Sequence, residues 1–218
     1  MLSCYRILDL TTDKAFICGR ALSDFGANVI KIEPPGGDPS RFFPPFYKDD
    51  PDPEKNLWWL AFNANKKGIT LDITNEAGRE IFKKMVKTAD AVLESFAPGY
   101  LESLGLGYKD LAAINPGIVL TSITGFGQKG PYRDYKDPDI VVRALGGLVY
   151  SVGYDDRPPL GSTYRHTHSL GAMNGAAGTM IALYQRAFTG TGQHVDASAQ
   201  QAIDVVTSAE IEGPYALF

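Results

Sequence analysis

The stretch "YRILDLTTDKAFICGRALSDFGANVIKIE" (residues 5–33) decides the fold class. Its two ends, "YRILDL" (5–10) and "NVIKIE" (28–33), are short and mainly apolar runs that predict buried β-strands. Between them, "AFICGRALSDFG" (15–26) has apolar residues at helical spacing and ends in Gly26, a residue typical of helix C-termini. A strand, a helix and a second strand with short connections predict a βαβ unit in a parallel α/β sheet.

The same alternation continues along the chain. Further strands are predicted at 68–73, 91–95, 118–124 and 193–198. Helices are predicted at 75–89 with Thr74 as N-cap, at two places within 98–117, at 139–152, at 169–188 and from 199 onward. Residues 34–56 are rich in proline, which excludes a regular helix or a central strand. We expect a long loop there, packed on the domain through its aromatic residues.

Composition excludes several classes of protein. The chain has 218 residues and a net charge of −4, which argues against nucleic-acid binding because phosphate contacts need a basic excess. The N-terminus lacks the pattern of a signal peptide, and no apolar run approaches the roughly 20 residues of a membrane span. Cys4 and Cys18 are interpreted as two buried thiols in a reducing compartment. We therefore predict a cytoplasmic protein with no membrane partner.

Two short motifs match known binding patterns only in part. "GFGQKG" (125–130) matches the dinucleotide-binding string, but Pro131 follows and no helix is predicted there, so NAD binding is not expected. His166 and His168 flank Thr167, and on a strand their rings would share one face, as a metal site needs. A third ligand would have to come from a distant carboxylate or from His194, and ordinary loop histidines are the favoured interpretation. No metal is predicted.

Four charged residues near strand ends each have two alternative roles that the sequence leaves open. Lys66 and Lys67 precede a strand and form either a solvated turn or an anion site, since ligands of open α/β sheets gather at strand ends. Asp9 and Glu33 end strands and are either active-site carboxylates or turn and cap residues.

Several segments, taken in order, resemble the family III CoA-transferases, the group that includes formyl-CoA transferase, carnitine CoA-transferase and α-methylacyl-CoA racemase. The segments are "ILDLT" (7–11), "LSDFGANVIKIEPPGGDPSR" (22–41), "FNANKKGITLDI" (62–73), "ADAVLESFAPGYLESLGLGY" (89–108), "NPGIVLTSITGFGQKGPY" (115–132), "DDRPPLG" (155–161) and "TGTGQHVDAS" (189–198). The resemblance implies a Rossmann-like parallel-sheet large domain that binds CoA and belongs to an interlocked dimer. It places that domain at 1–198, as the N-terminal portion of a longer protein. Residues 199–218 would begin a helix that leads toward a small domain.

The resemblance also implies positions that contact CoA, which would be a substrate rather than a tightly bound cofactor. These positions are Lys14, Ala15, Leu71, Asp72, Ile73, Thr74, Ser95, Phe96, Ala97 and Lys136. Two arginines of the family fall on Pro34 and Ser103, which removes two bidentate phosphate contacts.

The nucleophile of the family is missing from its expected place. Family transferases use an aspartate to form covalent acyl and CoA intermediates. Counting from the two flanking segments places that position at Thr167 or at His168, and neither is a carboxylate. The nearest carboxylates, Asp155 and Asp156, belong to a turn. The racemase branch needs a histidine where this chain has Pro138, so racemase activity is not expected.

Three hypotheses follow from the resemblance. The first is a non-catalytic subunit of a heteromeric CoA-transferase, as in the succinyl-CoA:benzylsuccinate type, in which a sister subunit carries the aspartate. The second is an active homodimer that uses another carboxylate. The third is a non-catalytic scaffold that binds CoA or a partner. In the first two, the substrates are an acyl-CoA and an organic acid of unknown identity.

Overall fold

A computed structural model describes residues 1–150, 152, 156–161 and 166–215. Its centre is a six-stranded, entirely parallel sheet in the order β3-β2-β1-β4-β5-β6. The strands are β1 (Arg6–Asp9), β2 (Asn28–Glu33), β3 (Lys67–Thr70), β4 (Ala91–Glu94), β5 (Val119–Thr124) and β6 (His194–Ser198). The predicted α/β class and the opening βαβ unit are confirmed, and the strand order is that of a Rossmann-like sheet.

Helices cover both faces of the sheet. They are α1 (Phe16–Asp24), α2 (Leu57–Asn63), α3 (Glu76–Val86), α4 (Tyr100–Ser103), α5 (Tyr108–Ile114), α6 (Asp139–Leu145), α7 (His166–Thr189) and α8 (Ala199–Tyr215). Successive residues of a strand point to opposite faces, so Ile7 enters the core with α1 and α7, and Leu8 enters the core with α3 and α5. In the part of the chain that the structure describes, no helix is long and apolar enough to cross a membrane.

Glycines let α7 pack closely on the sheet. A Cβ at Gly175 would lie 2.8 Å from Ile123 Cγ1, and one at Gly178 would lie 2.7 Å from Val195 Cγ1. At Gly171 it would lie 2.8 Å from the Cα of Ala199, where α8 begins. This close approach fixes where the first turn of α7 stands relative to the carboxyl ends of β5 and β6.

Several local predictions are wrong. The N-cap of α3 is Asn75, whose side chain accepts from Gly78 N, and not Thr74. The helix predicted at 139–152 ends at Leu145 because Gly146 and Gly147 follow and Gly147 adopts a φ of +80°. Cys18 is buried as predicted, but Cys4 is exposed.

Helix α2 and the loop before it depend on contacts that sequence patterns do not display. Residues 34–56 form three short 3-10 turns rather than regular elements. Arg41 forms a forked ion pair with Glu33, with Nε–Oε2 and Nη2–Oε1 distances of 2.6 and 2.9 Å. Its guanidinium lies 3.7 Å from the ring centroid of the buried Trp59 in α2. Glu33 is therefore a structural carboxylate that fixes this loop.

A buried carboxylate with two lysines lies beneath the carboxyl end of β1. Asp9 Oδ2 accepts from Lys66 Nζ at 2.8 Å, and Lys31 Nζ lies 3.9 Å from Asp9 Oδ1. Lys66 Nζ also donates to Phe16 O at 2.9 Å and to Asn63 Oδ1 at 2.8 Å. Its three protons are therefore used within the protein. The hypothesis of an anion site at Lys66 is wrong, and Asp9 is a structural residue.

Replacing Lys66 by Met is expected to lower the free energy of unfolding by about 3 kcal/mol, because it removes the nearest cation from a carboxylate that remains buried. Chemical denaturation measures this loss. The exposed neighbour gives a matched control, since Lys67→Met is expected to change stability by less than about 0.5 kcal/mol. Equal effects of the two substitutions would contradict the structural role of Lys66.

Candidate functional site

The strand order places a crevice between β1 and β4. Connections leave these two neighbouring strands toward opposite sides of the sheet, and ligands of such sheets bind at this point, outside the carboxyl ends. The loop after β1 and the loop after β4 are joined by a hydrogen bond from Thr12 N to Ser95 Oγ, at 2.8 Å. The two loops therefore form one continuous wall.

Three cavities follow this edge of the sheet. The outer cavity, about 270 Å³, lies between the loop after β1 and the segment after β3, and Phe96 closes its inner side. The middle cavity, about 380 Å³, is lined by Lys14, Phe96, Arg133, Lys136 and Asp137 among others. The inner cavity, about 390 Å³, is lined by Asp13, Lys14, Asp137, Pro138, Asp139 and His168. Because neighbouring cavities share residues, they form one track along the crevice.

Most of the predicted CoA contacts line this track. The outer cavity has Leu71, Asp72, Ile73, Thr74 and Phe96 on its wall. The middle cavity has Lys14, Phe96, Ala97 and Lys136. Two predicted contacts lie behind the surface: the Ala15 side chain is buried in the core, and Ser95 is buried with its hydroxyl bonded to Thr12.

The two positions at which the resemblance implies an arginine are placed differently. Pro34 lines the outer cavity. Ser103 lies in α4, where its hydroxyl donates to Tyr100 O at 2.7 Å and it lines none of the three cavities. Of the two positions, only position 34 therefore lies on the wall of the track.

The His-Thr-His segment forms the first turn of α7 and is not a strand. Residues two apart on a helix point to different sides, and accordingly His166 is exposed while His168 is buried. The strand geometry on which the metal hypothesis relied is wrong. His194, its suggested third member, instead stacks on Tyr108 with ring centroids 5.7 Å apart. Among the described residues, no group of three His, Cys, Asp or Glu side chains is placed to hold a metal ion.

Of the two candidate nucleophile positions, only His168 reaches the track. Its Nε2 is 3.4 Å from Asp137 Oδ2, and its Nδ1 is 3.6 Å from Asp139 Oδ1. The Thr167 side chain is fully buried, and its hydroxyl has no hydrogen-bond partner among the described residues. The position at the inner end of the track thus carries an imidazole between two carboxylates. Asp156 is exposed and paired with Arg157, and Asp155 lies outside the described residues.

Asp137 lines both the middle and the inner cavity, although no sequence motif singled it out. Its carboxylate accepts from Lys14 Nζ at 2.5 Å, from Gly125 N at 3.1 Å and from His168 Nε2 at 3.4 Å. Partial burial favours a higher pKa, but hydrogen bonds and positive charge from His168 and Lys14 outweigh it and lower the pKa of Asp137 to about 2. The available signal was an Asp-Pro-Asp sequence directly before a helix, with basic residues nearby.

A second titratable group lies under the crevice at the end of β4. Burial raises the pKa of Glu94 to about 7, although hydrogen bonds from Ser122 and from Phe96 N lower it. Ser122 Oγ is 2.9 Å from His194 Nε2, so a hydrogen-bonded row crosses β4, β5 and β6. Because Phe96 N donates to Glu94 at 2.7 Å, this row supports the loop that separates the outer and middle cavities.

The raised pKa of Glu94 predicts a pH-dependent stability. Between its ordinary value and about 7, the unfolded chain ionises while the folded chain keeps the proton, so stability falls as pH rises through this window. Above pH 7 the cost is at most about 3 kcal/mol. Glu94→Gln is therefore expected to raise the melting temperature at pH 8 relative to wild type and to have a smaller effect at pH 5.

Thermal melts at the two pH values check this prediction. The exposed Glu76→Gln variant is the control and is expected to keep the wild-type pH dependence. A Glu94→Gln variant whose melting temperature differs from wild type by the same amount at both pH values would contradict the prediction.

The chain matches a known protein family over most of its length. Residues 2–212 match the family model described as CoA-transferase family III. The chain is 44% identical over 181 residues to succinyl-CoA–D-citramalate CoA-transferase of Chloroflexus aurantiacus, covering 82% of this chain and 44% of that protein. It is 36% identical over 198 residues to the succinyl-CoA:(R)-benzylsuccinate CoA-transferase subunit BbsE of Thauera aromatica, covering 91% and 48%.

A solved structure matches the fold closely. The crystal structure of a CaiB/BaiF family protein from Brucella suis superposes with a TM-score of 0.89 at 32% identity, over 99% of this chain and 57% of that one. The chain spans about half the length of the curated relatives it matches.

Proposed function

The chain belongs to CoA-transferase family III, and from this premise we propose that it forms the CoA-binding half of an enzyme that moves CoA between an acyl-CoA thioester and a carboxylic acid. The observation that carries the proposal is the track of three cavities at the carboxyl ends of the strands. Both protein relatives named above are described as CoA-transferases that act with succinyl-CoA. CoA is then a substrate, and no tightly bound cofactor is needed.

The proposed direction of CoA follows the chemistry of the walls. Apolar side chains and the segment Leu71–Thr74 make the outer cavity suited to the nucleotide end. Lys14, Arg133 and Lys136 line the middle cavity and supply positive charge for phosphate groups. The thioester would then reach the inner cavity beside His168, where the exchange of CoA takes place in the family.

We further propose that the usual covalent step is supplied by an aspartate-bearing partner subunit. A buried Thr167 hydroxyl cannot carry CoA, because CoA transfer needs an acyl carbon, and His168 faces two carboxylates with its two nitrogens. The resemblance to BbsE, which is itself named as a subunit, supports a heteromer. In this form the chain contributes one half of an interlocked dimer.

Isotope exchange between succinyl-CoA and labelled free succinate tests this dependence, because it needs no knowledge of the natural acceptor acid. We expect no exchange by the protein alone, in its full-length form, and exchange after co-expression with the aspartate-bearing subunit. Exchange by the protein alone would reject the partner requirement and favour the homodimer. Binding of CoA without exchange in either sample would favour the scaffold.

Lys136 provides a test of the binding track. Lys136→Gln is expected to weaken CoA binding about fivefold, the effect of losing one exposed charge contact of about 1 kcal/mol. Titration calorimetry with CoA measures the change. Lys129→Gln removes an exposed charge from a nearby position that lines none of the three cavities, and it is expected to leave the affinity unchanged. Equal affinities of the two variants would place the phosphates elsewhere.

A further inference from the structure

A carboxylate stands directly beside His168 at the inner end of the track. Asp137 Oδ2 is 3.4 Å from His168 Nε2, and Asp137 lines both the middle and the inner cavity. The other carboxylate beside His168, Asp139, lines the inner cavity but not the middle one, and, like Asp137, accepts hydrogen bonds on both oxygens. Asp139 Oδ1 accepts from Thr167 N at 3.1 Å, and Asp139 Oδ2 accepts from the Arg143 guanidinium at 2.6 Å. Asp137 is therefore the carboxylate that faces the track along two cavities.

We propose that Asp137 is the carboxylate that accepts the acyl group in this chain's own crevice, in place of the aspartate that positions 167 and 168 lack. The inference rests on the proposed CoA-transfer function and adds a residue to it. In a heteromer the partner's aspartate acts in the partner's own crevice and Asp137 acts in the crevice of this chain, which still needs the partner to complete the interlocked dimer.

The surroundings of Asp137 suit this role. Lys14 and His168 hold the carboxylate in the ionised form, which is the nucleophilic one, and its side chain remains 21% exposed. The Lys14 ammonium is a point charge on a flexible stem, and its side chain is 36% exposed. It can move from Asp137 Oδ1 to the carbonyl oxygen of a thioester, which frees Oδ1 and stabilises the negative charge that develops on that oxygen.

The backbone on both sides keeps Asp137 in place. A Cβ at Gly125 would lie 2.3 Å from Asp137 Cβ, so only glycine lets the loop after β5 approach this closely and donate its N–H. Pro138 follows and fixes its own φ, which restricts the segment between Asp137 and the start of α6. A carboxylate held in this way is positioned for attack before the substrate arrives.

The step balances without any further reagent. Asp137 Oδ1 forms a bond to the acyl carbon, and the carbon–sulfur bond breaks, so CoA leaves as the thiolate and a mixed anhydride remains. The thiolate then attacks Cγ of Asp137, the Cγ–Oδ1 bond breaks, and the donor acid leaves as a carboxylate. Attack by the acceptor carboxylate on the resulting aspartyl-CoA thioester reverses the two steps. No electrons or protons are consumed overall.

Trapping with hydroxylamine tests the assignment. The full-length protein, in its assembled form with any partner subunit, is incubated with succinyl-CoA, quenched with hydroxylamine, digested and analysed by mass spectrometry. We expect a hydroxamate on the peptide that contains Asp137, because hydroxylamine attacks both the anhydride and the thioester. Asp137→Asn is expected to reduce this hydroxamate on the order of a thousandfold or more.

Controls separate this inference from the proposed function. Asp156→Asn removes an exposed carboxylate paired with Arg157 and is expected to keep the hydroxamate at Asp137. Succinate exchange is measured in the same sample. Exchange with Asp137 unmodified overturns the role of Asp137 and leaves the CoA-transfer function in place. Absence of both exchange and adduct overturns both. The assignment in the wild-type protein does not depend on whether the Asp137→Asn variant folds.

Discussion

The buried ion cluster around Asp9 is the interaction on which the crevice depends. One carboxylate at the end of β1 is linked to Lys31 of β2 and to Lys66 before β3. Through Lys66 it also reaches the carbonyl of Phe16 in α1 and the side chain of Asn63 in α2. Removing a single partner leaves charge without compensation in the interior, so these elements are held together as a unit.

Space around this cluster is equally restricted. A Cβ at Gly19 would lie 2.3 Å from Asp9 Oδ2, so α1 needs glycine at that position to pass over the carboxylate. Both lysine side chains are buried and bonded within the protein, and Lys31 also lies on the wall of the outer cavity. The positive charge that lines the middle cavity comes from loop residues, namely Lys14, Arg133 and Lys136. The core cations therefore hold the framework of the site, and the loop cations supply the charge of its middle part.

The elements that sequence predicts best are those whose pattern is local. Each strand has its own apolar run, and α3 has its own apolar face, so their existence follows without knowledge of the neighbours. Helix α2 was not predicted, because it depends on Trp59 stacking against Arg41, which is 18 positions away in the sequence. Likewise, the His-Thr-His segment is the first turn of α7, a helix whose glycines pack on β5 and β6, and its short alternating pattern does not show this.

In the candidate site too, features with a local sequence pattern were predicted and features that depend on distant contacts were not. Most positions that the resemblance implies as CoA contacts line the cavities, and these positions lie in continuous motifs. The resemblance did not locate Asp137, because the role of this residue comes from a meeting of three separate segments: the loop after β1, the loop before α6 and the first turn of α7. At the position where the family has its nucleophile, this chain has no carboxylate. The three-dimensional arrangement finds a carboxylate at hydrogen-bonding distance from that position.

The residue at position 168 and the two neighbouring carboxylates are electrostatically coupled. His168 lies within 3.6 Å of both Asp137 and Asp139. A carboxylate in its place would be a third negative charge at a similar distance, and a like-charge contact at about 4 Å costs about 4 kcal/mol at an effective dielectric constant of 20, before Lys14 and Arg143 offset part of it. Such repulsion raises the pKa of a carboxyl group and disfavours its ionised, nucleophilic form. With Asp137 and Asp139 in place, an imidazole at 168 therefore favours the ionised form of the crevice carboxylate more than a carboxylate at 168 would.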